Sequence, residues 1–163
     1  MGDTHYWTIK DGEKWTSVWN DVVGDIHRIV DYVNAHPESM GFHKGRKEPS
    51  VVVRFEEDYV MINDAVEAWA ENVILERNRK RSDCCKSVYR SFNPVLQAVL
   101  LRMHHHMGDE GLGISSEVGW SWWQRGVGLE QKVFEVVEVP KPEGLRLLMA
   151  GESDDELDLL RST

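Results

Sequence analysis

Six large apolar residues, Trp15, Trp19, Val22, Ile26, Ile29 and Val33, recur at steps of four, three, four, three and four. Only a helix places side chains at that spacing on one face, so the stripe predicts a helix over roughly 16–35 that must bury one side. Thr16 or Ser17 is the expected cap. Asp21 and Asp25 fall early, and Pro37 closes the helix because the residue before a proline is pushed out of helical dihedrals. The same spacing fits a coiled-coil seam, but it covers under three heptads and contains Gly24, so packing within the domain is the expected use. If the face stayed exposed, it would favour a homodimer.

A second helix is marked out at Pro94–Met107. Asn93 stands at the cap position, Pro94 in the first turn and Gly108 just past the end, and Leu96, Val99, Leu100, Met103 and Met107 form the stripe. Between the two helices, the polar stretch 38–50 reads as a loop. Ser50–Phe55 is β-branched and bounded by Pro49, so it reads as a strand, with Tyr59–Ile62 as partner across a turn at Glu56–Asp58. Asp64–Ala70 has helical propensity, whereas Glu71–Glu76 fits a continuation or a new strand. Gly111–Ser116 is a short strand or extended loop, and Trp120–Trp123 opens an irregular or helical segment. Val133–Val139 reads as a last strand stopped by Pro140 and Pro142.

These elements define an α+β fold: a small, mainly antiparallel sheet covered by the 16–35 and 94–107 helices, forming one domain over 1–143. Residues 144–163, with Leu145, Leu148, Leu157 and Leu160 among acids, read as an acidic helix or tail. A chain of 163 residues has the size of one ordinary domain. No stretch approaches the ~18 apolar residues of a membrane helix, and the N-terminus lacks the apolar core of a signal peptide. The expectation is a cytoplasmic protein without membrane partners. Cys84 and Cys85 are adjacent, so reduced thiols are expected. The net charge of −9 argues against unspecific affinity for nucleic acid but leaves room for a local basic site. Most of the seven Trp residues should be core.

Three local features can carry chemistry. Six basic residues crowd into 77–90, among them Arg79, Arg81, Lys86 and Arg90, and suit phosphate or carboxylate groups; the plain alternative is a solvated loop. His104, His105 and His106 end the second helix. Adjacent helical residues point about 100° apart, so the three cannot ligate one metal together, and no metal site or cofactor is expected. Their simplest role is to cap the helix end, with acid-base work by His104 or His105 as the alternative. Ser115, Ser116 and Trp120 lie in a serine, glycine and tryptophan turn that suits either a ligand pocket or a core-sealing turn. Walker, G-x-G-x-x-G, G-x-S-x-G and paired-cysteine zinc signatures are absent.

Cys85-Lys86-Ser87, Phe92-Asn93, the helix end His104-His105-His106-Met107-Gly108-Asp109 and the turn Ser115-Ser116-Glu117, taken in order, resemble small accessory proteins of tailed bacteriophages and prophages. Ser87, Asn93 and Glu117 depart from that pattern, which carries Thr, Asp and Asp there. The resemblance implies a phage accessory protein that acts in host cytoplasm. The leading expectation is therefore binding of a host or viral macromolecule, or of a nucleotide or other phosphate ligand, through the 77–90 segment and the Ser115–Trp123 turn. Two alternatives stand beside it: a small enzyme acting on a nucleotide or phosphoester with a histidine acid-base, and a nucleic-acid-binding protein.

Overall fold

In the computed structural model, the described residues are 4–36, 38, 51–64, 72–79, 82–87 and 92–146. In chain order the elements are β1 (Thr4–Ile9), α1 (Gly12–Ala35), β2 (Val51–Phe55), β3 (Tyr59–Asp64), β4 (Val73–Glu76), β5 (Ser82–Lys86), α2 (Asn93–Gly111), β6 (Leu112–Ser116), a 3₁₀ turn at Trp120–Trp123 and α3 (Gln124–Phe134). The fold is α+β. It contains two antiparallel three-stranded sheets, ordered β5-β1-β6 and β2-β3-β4, rather than the single sheet expected.

Helix α1 buries all six residues of the predicted stripe, none more than 2% exposed. The face is covered within the chain, so the observation that would have favoured a homodimer is gone. The helix starts at Gly12, earlier than expected. Asp11 holds extended dihedrals and its carboxylate accepts from Lys14 N at 3.0 Å, whereas the Thr16 and Ser17 hydroxyls donate back to helix carbonyls. Trp15 Nε1 donates to the Glu76 carbonyl of β4 at 2.8 Å, and His27 stacks on Phe55 of β2 at 3.5 Å, so the second sheet docks against α1.

The β2–β3 hairpin has the expected pairing, with Val53 opposite Ile62, and 73–76 is a strand. The helical propensity over 64–70 meets strand at Asp64, and its remainder lies outside the described residues. Two strands, β1 and β5, went unread in the sequence, although β1 is the centre of its sheet.

Helix α2 runs between α1 and α3. Every residue from Asn93 to His104 is buried, as expected of a helix packed on all sides. Its regular part ends at Gly108, where φ +67 and ψ 174 suit only glycine, and one more turn leads into β6. Asn93 does not cap the helix. Phe92 occupies that position without a side-chain bond, because the Asn93 amide is engaged elsewhere.

The expected strand over 133–139 does not form. Gly126, Val127, Leu129, Glu130 and Val133 turn inward at helical spacing, Glu135 ends α3 in a left-handed conformation, and Val137 is 87% exposed. The apolar run Val133–Val139 thus straddles a helix end. Beyond it, Leu145 packs into the core, while 147–163 lie outside the described residues. Of the described tryptophans, Trp7, Trp15, Trp19 and Trp123 are buried and Trp122 is about one-third exposed.

The α2–α3 contact is close enough to test. A Cβ on Gly126 would lie 2.3 Å from Gln97 Cβ, whereas one on Gly128 meets nothing within 4 Å. Gly126→Ala should therefore cost about 1–3 kcal/mol of unfolding free energy. Gly128→Ala in the same helix should gain up to about 1 kcal/mol from helix propensity. Equal effects in urea denaturation would contradict this packing.

Candidate active site around His5

Alternation along β1 sends His5, Trp7 and Ile9 to the core and Tyr6 and Thr8 to the surface. His5 is fully buried, with Cys85 of β5 and Ser116 of β6 opposite it across the sheet. A buried imidazole needs partners for both nitrogens, and both are supplied. Nε2 lies 2.8 Å from Asn93 Oδ1 and Nδ1 lies 2.7 Å from Ser116 Oγ. Asn93 Oδ1 also accepts from the buried Ser87 hydroxyl at 2.9 Å. An amide oxygen only accepts, so His5 carries its proton on Nε2 and presents the Nδ1 lone pair to Ser116.

Ser116 Oγ–H has a second acceptor in the Thr4 carbonyl, but at 3.4 Å it loses to the 2.7 Å contact with His5. Val118 N–H donates to the same Oγ at 3.2 Å. Trp123 packs against the imidazole with ring centroids 4.6 Å apart. Burial pushes the His5 pKa down to about 4, partly countered by the bond to Asn93, so the ring is neutral at pH 7. The result is a hydroxyl, a neutral base and a fixed amide in line, which is the arrangement that activates a nucleophile.

The residues expected to form one site are distributed over several places. Arg79 sits in the β4–β5 turn, exposed, with its guanidinium 3.1 Å from Glu76. Lys86 is exposed at the other end of β5, opposite Thr4. Arg81 and Arg90 lie outside the described residues. Arg79 and Lys86 therefore do not share a patch.

The three helix-end histidines also separate. His104 Nε2 pairs with Asp109 Oδ1 at 2.9 Å, and that carboxyl is held below its ordinary range first by the Glu143 backbone N–H. His106 Nε2 pairs with Asp25 at 2.7 Å. His105 is exposed, edge-on to His106, and its pKa is lowered by burial and then by Arg102. None caps the helix in the manner expected: Lys14 and Lys10 donate to the Met107 and Asp109 carbonyls instead. Asn93 and His104 are eleven residues apart on α2, roughly 16 Å at the helical rise, so His104 and His105 are remote from Ser116.

Ser115 and Ser116 point to opposite faces of β6. Ser115 lines an outward cleft of about 450 Å3 with Tyr6, Thr8, Lys10, Asp109 and Glu143. Trp120 is half-buried, stacked 6.3 Å from Trp123, and its backbone N–H donates to the Arg146 carbonyl. Among the described residues, no three His, Cys, Asp or Glu side chains converge as a metal site. Nor is any helix among them long and apolar enough to cross a membrane. Cys84 is exposed and Cys85 buried. His5, the centre of the site, was not singled out in the sequence.

A second polar cluster lies between the helices. Arg102 of α2 donates to Asp25 of α1 at 2.9 Å and to Glu130 of α3 at 3.3 Å, all three being buried, and its guanidinium stacks 4.0 Å over Phe134. Glu130 Oε2 has no partner among the described residues, and burial raises the pKa of that carboxyl.

No family model matches the chain, and no curated protein or solved structure is significantly similar to it.

Proposed function

We propose that the protein is a small enzyme that displaces a leaving group at an ester-type centre, acyl or phosphoryl, with Ser116 as nucleophile and His5 as base. The observation that carries this reading is the unbroken chain from Ser116 Oγ to His5 Nδ1 at 2.7 Å and from His5 Nε2 to Asn93 Oδ1 at 2.8 Å. Ser116 Oγ forms the new bond while its proton passes to Nδ1. The imidazolium gives that proton to the departing alkoxide as its bond breaks, and water then repeats both steps to release Ser116. Asn93 keeps the imidazole in the tautomer that can accept. The base is thus His5 rather than His104 or His105. Three of the short motifs behind the phage-protein resemblance supply this cluster, through Ser87, Asn93 and Ser116.

A fluorophosphonate probe tests the nucleophile without a known substrate. Mass spectrometry should find the adduct on Ser116, and Ser116→Ala should abolish it. With p-nitrophenyl ester or phosphoester substrates, His5→Gln should lower the rate by about 10³-fold. Because the base must be neutral, the rate should rise with pH through about 4 and be flat by pH 6, well below the limb of an ordinary histidine. Absence of both adduct and turnover across these panels would overturn the reading.

A second reading keeps the phage accessory role, in which the outward face of the β5-β1-β6 sheet binds a host or viral protein or a phosphate ligand. The uncovered cleft beside Ser115 favours it. Substitutions at Tyr6 and Lys10 should then weaken binding, while Ser116→Ala should not.

A further inference from the structure

We propose that the indole N–H of Trp123 is the donor that holds the oxyanion formed when Ser116 attacks, an inference that rests on the reading of Ser116 as nucleophile. An anion developing beside Ser116 needs fixed N–H groups, and backbone amides are the usual source. Four of those in this turn are already engaged. Glu117 N–H donates to the Thr4 carbonyl, Val118 N–H to Ser116 Oγ, Trp120 N–H to the Arg146 carbonyl and Trp122 N–H to the Gly119 carbonyl. Trp123 is different. It is fully buried, its ring lies against His5, and its Nε1–H has no acceptor among the described residues. An indole nitrogen can only donate, and leaving such a donor unmet inside a protein costs about 1–3 kcal/mol. The turn that starts at Ser116 therefore packs a ring with one unspent donor against the base. An acyl or phosphoryl oxygen that gains charge during attack would satisfy it, and the bond would strengthen as the charge grows, which is the condition for lowering a barrier.

Trp123→Phe keeps an aromatic ring against His5 and removes the N–H. The second-order rate of fluorophosphonate labelling at Ser116 should fall about 10²-fold in this variant, with its melting transition still cooperative. Labelling of both proteins at similar rates would overturn the role of Trp123 and leave Ser116 as the nucleophile. No labelling of the wild type would overturn both. If Trp123→Phe does not fold, the indole 1H–15N resonance of wild-type Trp123 decides: it should move downfield once Ser116 is phosphonylated, and an unmoved resonance on a labelled protein would sink the proposal.

Discussion

Replacing Arg102 with Met should cost about 3–5 kcal/mol of stability at neutral pH, the loss measured when one partner of a buried ion network is removed. The guanidinium is the cation between two buried carboxylates, Asp25 and Glu130, and one Glu130 oxygen already lacks a partner among the described residues. Methionine fills much of the volume but leaves both acids facing each other, with His106 the remaining contact of Asp25. Lowering the pH should shrink the penalty, because a protonated carboxyl no longer needs the cation. Burial has already raised the Glu130 pKa, so that acid should take up its proton at a higher pH than an ordinary glutamate. The triple variant Asp25→Leu, Arg102→Met, Glu130→Met should recover most of the loss, since well-packed apolar groups replace such networks at little cost. Urea denaturation of the single and triple variants at pH 5 and pH 7.5 would show this. A single variant within 1 kcal/mol of wild type at pH 7.5 would mean that the network is solvated.

How much of this was legible depends on whether the signal is local. The α1 stripe states its own period over nineteen residues, and all six of its members are buried. Asn93-Pro94 and Gly108 mark the ends of α2 because proline and glycine constrain the backbone wherever they stand. Where a short apolar run was judged by composition, the reading failed. Val133-Phe134-Glu135-Val136-Val137 is rich in β-branched and aromatic residues like a strand, yet Val133 completes the inward face of α3 and Val137 is solvated. Strand β5 was concealed by its charge: Ser82-Asp83-Cys84-Cys85-Lys86 has one buried side chain, Cys85.

The site was less legible than the fold, because its members come from three distant places in the chain. Ser116 and the neighbourhood of Asn93 stood out locally, but nothing in the sequence said that residues 5, 87, 93 and 116 meet. One signal was available. His5, Trp7 and Ile9 fall on one face of a period-two pattern, so reading Thr4–Ile9 as a strand would have put a histidine among core residues. A buried histidine needs two polar partners, and that requirement would have directed the search for them. Conversely, the three adjacent histidines drew notice by composition, and the helix turned them towards different partners, as 100° steps require.

Acidification should reveal His5 thermodynamically whether or not the protein is an enzyme. Its pKa is about 4 when folded and near 6.5 when unfolded, so between these values the unfolded chain binds more protons. The contribution to stability is therefore fully present above pH 6.5, falls as the pH drops through this window, and has lost about 3 kcal/mol by pH 4. Glu130 works in the opposite sense. With its folded pKa raised, it makes the folded state the better proton binder above the ordinary glutamate value, so its contribution declines as pH rises. The two effects separate by difference. His5→Gln carries no titrating group at this position, so wild type should lose about 3 kcal/mol more than the variant between pH 7 and pH 4, with Glu130 cancelling. Asn93→Asp should shrink that loss, because a carboxylate against Nε2–H favours the imidazolium and pushes the His5 pKa back up. Parallel pH curves for wild type and His5→Gln would mean that His5 is as easily protonated folded as unfolded. The rise of the rate with pH would then move up from about 4 to the ordinary histidine range near 6.5.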